Sequence, residues 1–167
     1  FHERLLELLL LIHVVDGNLE VQRLVAHLPS ESRVVMSADH GLLDADHSEL
    51  HEIDPSDEIL KFLAREAWGD SRAVVFDIDN GATSRFEGLF MERFGERFYL
   101  ITVEEAEELE LYGPGRLSPQ ARRRLGSHIA ISKGADVFKI LYPTANKEDI
   151  RMVSYHSGLT PNEMLVP

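Results

Sequence analysis

Apolar residues recur along this chain with two spacings, and the alternation between them predicts helices and strands in turn. Residues 4–10 read as a helix, and residues 11–15 form an apolar run of strand length that delivers Asp16 and Gly17 to a turn. Leu19, Val21, Leu24, Val25 and Leu28 then fall near helical spacing until Pro29 stops the pattern. Residues 33–38 predict a buried strand ending in Asp39, His40 and Gly41. Asp54 and Pro55 predict a helix running to about Trp68, with Asp54 as cap and proline in the first turn. A strand over 73–78, a helix over 83–94 and a strand over 98–101 follow, and Thr102 with Glu105 forms a capping box for the next helix. Gly113, Pro114 and Gly115 mark a turn, Ser118 and Pro119 open a short basic helix, and residues 129–132 and 137–142 predict a strand pair around Lys133 and Gly134. Near the end, Thr160, Pro161 and Glu163 form a second capping box, which places His156 just before a helix start.

Strands alternating with helices predict an α/β fold, a largely parallel sheet flanked by helices, with ligands bound beyond the carboxyl ends of strands. A length of 167 residues, 44% of them hydrophobic, suits one domain or a large part of one. Lys and Arg total 17 against 29 Asp and Glu, and the net charge of -12 would repel a phosphate backbone, so no nucleic-acid polymer is expected as partner. There is no cysteine, which leaves His, Asp and Glu as the strong metal ligands. The longest apolar run, residues 8–15, is broken by His13 and is far shorter than the roughly 20 residues of a membrane helix. No membrane partner is expected, no basic leader is visible, and the expected location is cytoplasmic. The chain opens on Phe1, and the expectation is that a longer protein contributes residues upstream.

Without cysteine, a divalent metal site needs imidazoles and carboxylates converging from several elements. Asp39 and His40 after one predicted strand, Asp16 after another and His156 before a helix meet that description. Taken singly, each also suits a plain role, a capping Asp in a turn or a satisfied histidine. Together they resemble a known family. "VVMSADHGLLD" resembles the Asp-His-Gly metal motif of the alkaline phosphatase superfamily, in its nucleotide pyrophosphatase and phosphodiesterase branch, and "HSGLTPNEMLVP" resembles that branch's closing motif.

The resemblance implies an alkaline phosphatase-like core in two pieces, residues 1–51 and 151–167, with residues 52–150 as an inserted α/β subdomain. It implies two divalent metal ions, zinc by preference, with Asp39 and His40 on the ion that touches the nucleophile and His156 and Asp16 on the other. It further implies hydrolysis of phosphodiester, pyrophosphate or phosphomonoester bonds through a covalent phospho-enzyme, the nucleophilic Thr or Ser lying upstream of these residues. The substrate would be a small phosphate ester, nucleotides among the candidates. One departure stands out: the family places a His four residues after the Asp that Asp16 matches, and this chain has Glu20. Either a loop is missing at or near Gly17 and Asn18, or a ligand is lost. A lost ligand would suit a degenerate relative that binds metal or nucleotide without turnover.

Other signals have simpler readings. "AVVFDIDNG" matches the strand and Asp-x-Asp of haloacid dehalogenase-like phosphatases, with Asp77 as nucleophile, Asp79 as acid and Thr102, Lys133 and Asp136 as supporting groups. That reading leaves both flanking motifs unexplained, and an acidic turn at a strand end accounts for the aspartates. His47 and His51 have a helical metal-ligand spacing, but their polar surroundings predict a solvated loop, at most lining a substrate mouth. His13 sits in an apolar strand and reads as core, His2, His27 and His128 have no supporting neighbours, and Arg122 to Arg124 read as a solvated helix face.

Overall fold

The computed structural model describes residues 17–35, 37–142 and 152–165. The chain divides into two units, Phe1–Ser37 and Ala38–Pro167. The first contains helix α1 (Gly17–Ala26), where Arg23 sits in the last turn and its carbonyl bonds the His27 imidazole at 2.6 Å. The helix includes both Gly17 and Asn18, while Asp16, from which the expectation of a missing loop is counted, lies outside the described residues. The strand predicted over 33–38 is not formed at the described positions within it, and Val35 is 91% exposed. A parallel strand draws its hydrogen bonds from neighbours on either side, and its apolar composition cannot supply them.

The second unit holds β1 (Leu43–Asp44), β2 (Leu50–Ile53), β3 (Trp68–Asp70), β4 (Ala73–Phe76), α2 (Thr83–Phe94), β5 (Phe98–Thr102), α3 (Val103–Glu108), α4 (Pro119–Arg124), β6 (His128–Ser132), β7 (Val137–Ile140), β8 (Ser154–Tyr155) and α5 (Pro161–Met164). The largest sheet among the described residues has the order β3-β4-β6-β5, and each neighbouring pair in it is antiparallel. β4 and β5 therefore run in the same direction, joined by α2, with β6 laid between them as in a split βαβ unit. The architecture is mixed α/β as expected, but among the described residues parallel pairing is confined to β2 and β7. The βαβ pattern of the sequence is real. What a linear pattern does not contain is the later strand that fills the gap.

This sheet is apolar on both faces, and the period of two assigns each face its layer. Val74, Phe76, Phe98 and Ala130 pack with Phe86, Phe90 and Phe94, which recur every fourth residue along α2 and form its buried stripe. On the other face Val75, Ile129 and Ile131 pack against Val103 and Ala106 of α3, with Trp68, Leu117 and Leu125 at the margin. α3 starts at the predicted capping box, since the Glu105 amide donates to the Thr102 hydroxyl and the Glu105 carboxylate accepts from the Thr102 amide. Phe138 of β7 joins the aromatic cluster with its ring 4.3 Å from Phe98 and 4.9 Å from Phe94.

Two further elements differ from expectation. The helix predicted from Asp54 to Trp68 is a turn and a short 3-10 helix, Glu58–Phe62, capped by Asp57. The Asp54 carboxylate takes the Ser56 amide and hydroxyl into a local turn, and residues 62–64 run alongside Asp77 to Asp79, with Ala64 bonding the Asp77 carbonyl. Pairing with that strand end outcompetes helix propensity, which is worth only tenths of a kcal/mol per residue, roughly. Nor do residues 129–132 and 137–142 pair with each other: β6 lies between β4 and β5, and β7 leaves to pair with β2.

The Phe90 ring is fully buried in the aromatic cluster, whereas Tyr99 on β5 is 57% exposed. Phe90→Ala is expected to lower unfolding free energy by about 3–5 kcal/mol in urea titrations, against a change within about 0.5 kcal/mol for Tyr99→Ala.

Candidate functional site

His40 and His156 meet face to face, with ring centroids 4.1 Å apart and planes inclined by 19°. The first is anchored locally. Its backbone amide bonds the Asp39 carboxylate at 3.0 Å, and its Nδ1 lies 2.8 Å from the Gly41 carbonyl. A carbonyl can only accept, so Nδ1 carries a proton. Asp39 itself is largely exposed, with one carboxylate oxygen 3.7 Å from His40 Nε2.

What brings His156 to this place is a short antiparallel seam. Leu43 pairs with Tyr155 and Asp44 with Ser154 across β1 and β8, the Ser154 hydroxyl bonds the Asp44 carboxylate, and Ala45 bonds the Val153 carbonyl at 3.0 Å. Beyond the seam, Gly41 donates its amide to the Glu163 carbonyl at 2.8 Å. A Cβ on Gly41 would lie 1.8 Å from the Asn162 carbonyl oxygen, so glycine at this position is what lets the backbone of α5 lie directly on the His40 loop. The two motifs read from the sequence are thus physically one structure.

His156 has a support the sequence reading did not foresee. Its Nδ1 lies 2.8 Å from the Ser157 hydroxyl, and that hydroxyl donates to the Asp70 carboxylate at 2.7 Å. Ser157 has φ +77°, in the left-handed region that an L residue seldom adopts. The only sequence signal for this was the Ser itself, standing between His156 and Gly158 where a glycine would fit the backbone better. Asp70 at the end of β3 gave no signal at all.

Beneath this loop lies a buried ion pair. Arg72 and Glu163 are 0% and 2% exposed, and the guanidinium meets the carboxylate in a fork, Nε to Oε1 at 2.5 Å and Nη2 to Oε2 at 2.8 Å. The remaining Arg72 donors reach the Gly134 carbonyl at 2.6 Å, the Asp136 carbonyl at 3.2 Å and the Ser132 hydroxyl at 3.3 Å. Glu163 also accepts from the Gly158 amide and from the Thr160 hydroxyl and amide, completing the expected capping box of α5. Burial alone would raise the Glu163 carboxyl, but its bonds from Arg72, Thr160 and Gly158 outweigh that and hold it down at about 2. Gly158 has no room for a side chain, because a Cβ would come within 2.6 Å of Glu163 and 2.7 Å of Arg72.

The remaining candidates are engaged elsewhere. His51 is not in a solvated loop: it lies on β2, half-buried against Phe94, Phe98 and Phe138, with Nε2 2.7 Å from Asp136. His47 starts a 3-10 turn and is exposed. His128 is buried, with Glu87 at 3.1 Å and Ser127 at 3.0 Å on its two ring nitrogens. Four groups of the haloacid dehalogenase-like alternative make structural contacts. Asp77 pairs with Arg65 at 2.9 Å, Lys133 bonds the Gly95 carbonyl, Thr102 caps α3 and Asp136 holds His51. Arg122 does not simply face solvent but pairs with Glu104 and Glu107.

Among the described residues, no three His, Asp or Glu side chains converge to hold a metal ion. Asp16, the fourth expected ligand, lies outside the described residues. The donor chemistry nevertheless fits a divalent ion, since each imidazole is engaged through Nδ1 and the largely exposed Asp39 carboxylate lies beside His40.

The fold is similar to that of a nucleotide pyrophosphatase/phosphodiesterase of known structure. Murine ectonucleotide pyrophosphatase/phosphodiesterase 5 superposes on 78% of this chain with a TM-score of 0.50 and 15% identity. An inactive variant of that murine protein in complex with AMP superposes equally well, at 13% identity. This chain spans 31% of the length of each murine chain. No protein-family model matches the sequence, and no curated protein sequence matches it either.

A carboxyl held at about 2 against an ordinary 4.5 contributes stability that is present above pH 4.5 and lost as pH falls toward 2. The contribution is about 3 kcal/mol, at about 1.4 kcal/mol per pH unit. Urea midpoints measured between pH 5 and pH 2 are expected to fall for the wild type, and Glu163→Gln is expected to lose this part of the pH dependence while being less stable at neutral pH. Gly41→Ala is expected to separate α5 from the His40 loop, read as faster exchange of the backbone amide at position 41 than in the wild type.

Proposed function

We propose that this chain is part of a metal-dependent hydrolase of phosphodiester, pyrophosphate or phosphomonoester bonds, with His40, His156, Asp39 and Asp16 as ligands to two divalent ions, zinc by preference. The observation that carries the reading is the juxtaposition of His40 and His156 from the two family-like motifs. Their centroid separation of 4.1 Å is close to the roughly 3.5–4 Å that separates the ions of two-metal sites, so neighbouring rings could each serve one ion. When bound, such ions polarise a phosphoryl oxygen and lower the pKa of a hydroxyl or water.

The chain's own part is positioning. The Gly41 carbonyl orients the His40 ring, and the β1/β8 seam holds the two histidine segments side by side. Asp39 and Asp70 make the surroundings anionic, which would repel a phosphate ester unless cations intervene. In this reading the nucleophile belongs to residues upstream, residues 52–150 are an insertion beside the site, and the largely parallel sheet is completed outside the described strands. The AMP bound to the murine variant supports a small nucleotide as the substrate class.

His40→Ala and His156→Ala are each expected to reduce zinc binding at least tenfold, by about 1.4 kcal/mol or more, with unchanged unfolding midpoints. Hydrolysis of a chromogenic phosphodiester by the complete protein should fall with them. Wild-type zinc binding without hydrolysis would favour a degenerate relative that binds without turnover, and undiminished hydrolysis in either variant would refute the ligand assignment.

A further inference from the structure

We propose that Asp70 and Ser157 form a positioning relay that fixes the tautomer of His156, so that β3 reaches into the site without touching substrate. The inference rests on the reading of His156 as a metal ligand and adds two residues to it. The direction of the relay follows from donor and acceptor chemistry. Asp70 as a carboxylate can only accept, so the Ser157 hydroxyl proton points to its Oδ2 at 2.7 Å. The Ser157 oxygen is then left as the acceptor for His156 Nδ1–H at 2.8 Å. In its neutral form His156 consequently carries its proton on Nδ1 and presents Nε2, the state an imidazole needs to bind a metal. Free imidazole side chains in water favour the other tautomer, so the relay has an effect to exert.

Backbone geometry supports the assignment. Ser157 at φ +77° sits in a left-handed conformation that costs an L residue on the order of 1 kcal/mol and that glycine would adopt freely. A serine retained there contributes something a glycine cannot, and the only side-chain atom it adds beyond Cβ is the hydroxyl bonded to both Asp70 and His156. Asp70 is placed by the β3/β4 hairpin, in which Asp70 pairs with Ala73, and the adjoining Arg72 is the residue locked to Glu163. The hairpin that carries the acceptor is thereby tied to the same closing helix that follows the histidine.

The test uses the chain with nitrogen-15 histidine. In the metal-free wild type at mildly alkaline pH, NMR is expected to show His156 predominantly as the Nδ1–H tautomer. Ser157→Ala and Asp70→Ala are expected to shift it toward Nε2–H, whereas Asp70→Asn, whose amide oxygen still accepts from the hydroxyl, should keep most of the wild-type signature. Ser157→Gly suits the backbone and guards against misfolding, and the same shift is expected from it. Zinc titration of the same proteins is expected to show affinity about 10–100-fold weaker for Ser157→Ala and Ser157→Gly than for wild type. An unchanged His156 tautomer in Ser157→Ala and Ser157→Gly would overturn the relay whatever the metal result. A tautomer shift in proteins none of which binds zinc, wild type included, would uphold the relay and overturn the metal-ligand reading instead.

Discussion

The buried pair of Arg72 and Glu163 is the constraint on which the rest of the site depends. Removing two charges from water costs several kcal/mol per ion, roughly, and the cost is offset only where geometry is good and every remaining donor and acceptor is used. Both conditions are met. The fork is bidentate, three further acceptors take the other guanidinium protons, and the carboxylate has three additional donors. Such an arrangement tolerates no partial version, since an unpaired charge in this position would be more costly than an apolar replacement of the whole pair.

Its consequence is to join four chain segments at one point: the β3/β4 hairpin through Arg72, the β6/β7 connection through the carbonyls of Gly134 and Asp136, the loop after His156 through Gly158, and α5 through Glu163. The same bonds explain why β7 cannot fold back on β6 as a tight hairpin. The connection between them is drawn onto the guanidinium, and β7 continues to β2, where His51 caps the aromatic cluster and Asp136 receives it. Packing of the two faces of the sheet supplies the rigidity, and the ion pair transmits it to a loop that has little apolar burial of its own.

The site is therefore a graft on this framework. His40 is held by its own turn and by α5 lying on Gly41, while His156 is held by the seam with β1 and by Ser157. The two rings stack on each other, outside the aromatic cluster of the core.

By itself the sequence determined those features that are local or periodic. The α2 stripe of Phe86, Phe90 and Phe94, the strands at 73–76, 98–102 and 128–132, and the capping boxes at Thr102 and Thr160 all follow from spacings within a few residues. The pairing of Asp39-His40-Gly41 with the His156 segment was legible because each short motif resembles one half of a known family's site. Tertiary structure alone decided that β6 would insert between β4 and β5, that residues 54–68 would follow a strand end instead of coiling, and that His51 would be drawn into the core. It also decided that Asp70 and Arg72, two residues apart on one hairpin, would bond Ser157 and Glu163 respectively. The physical reason is the same in each case. Periodicity and caps are set by neighbours along the chain, whereas strand order and the partner of a buried charge are set by which distant segments exclude water together, and no local spacing encodes that.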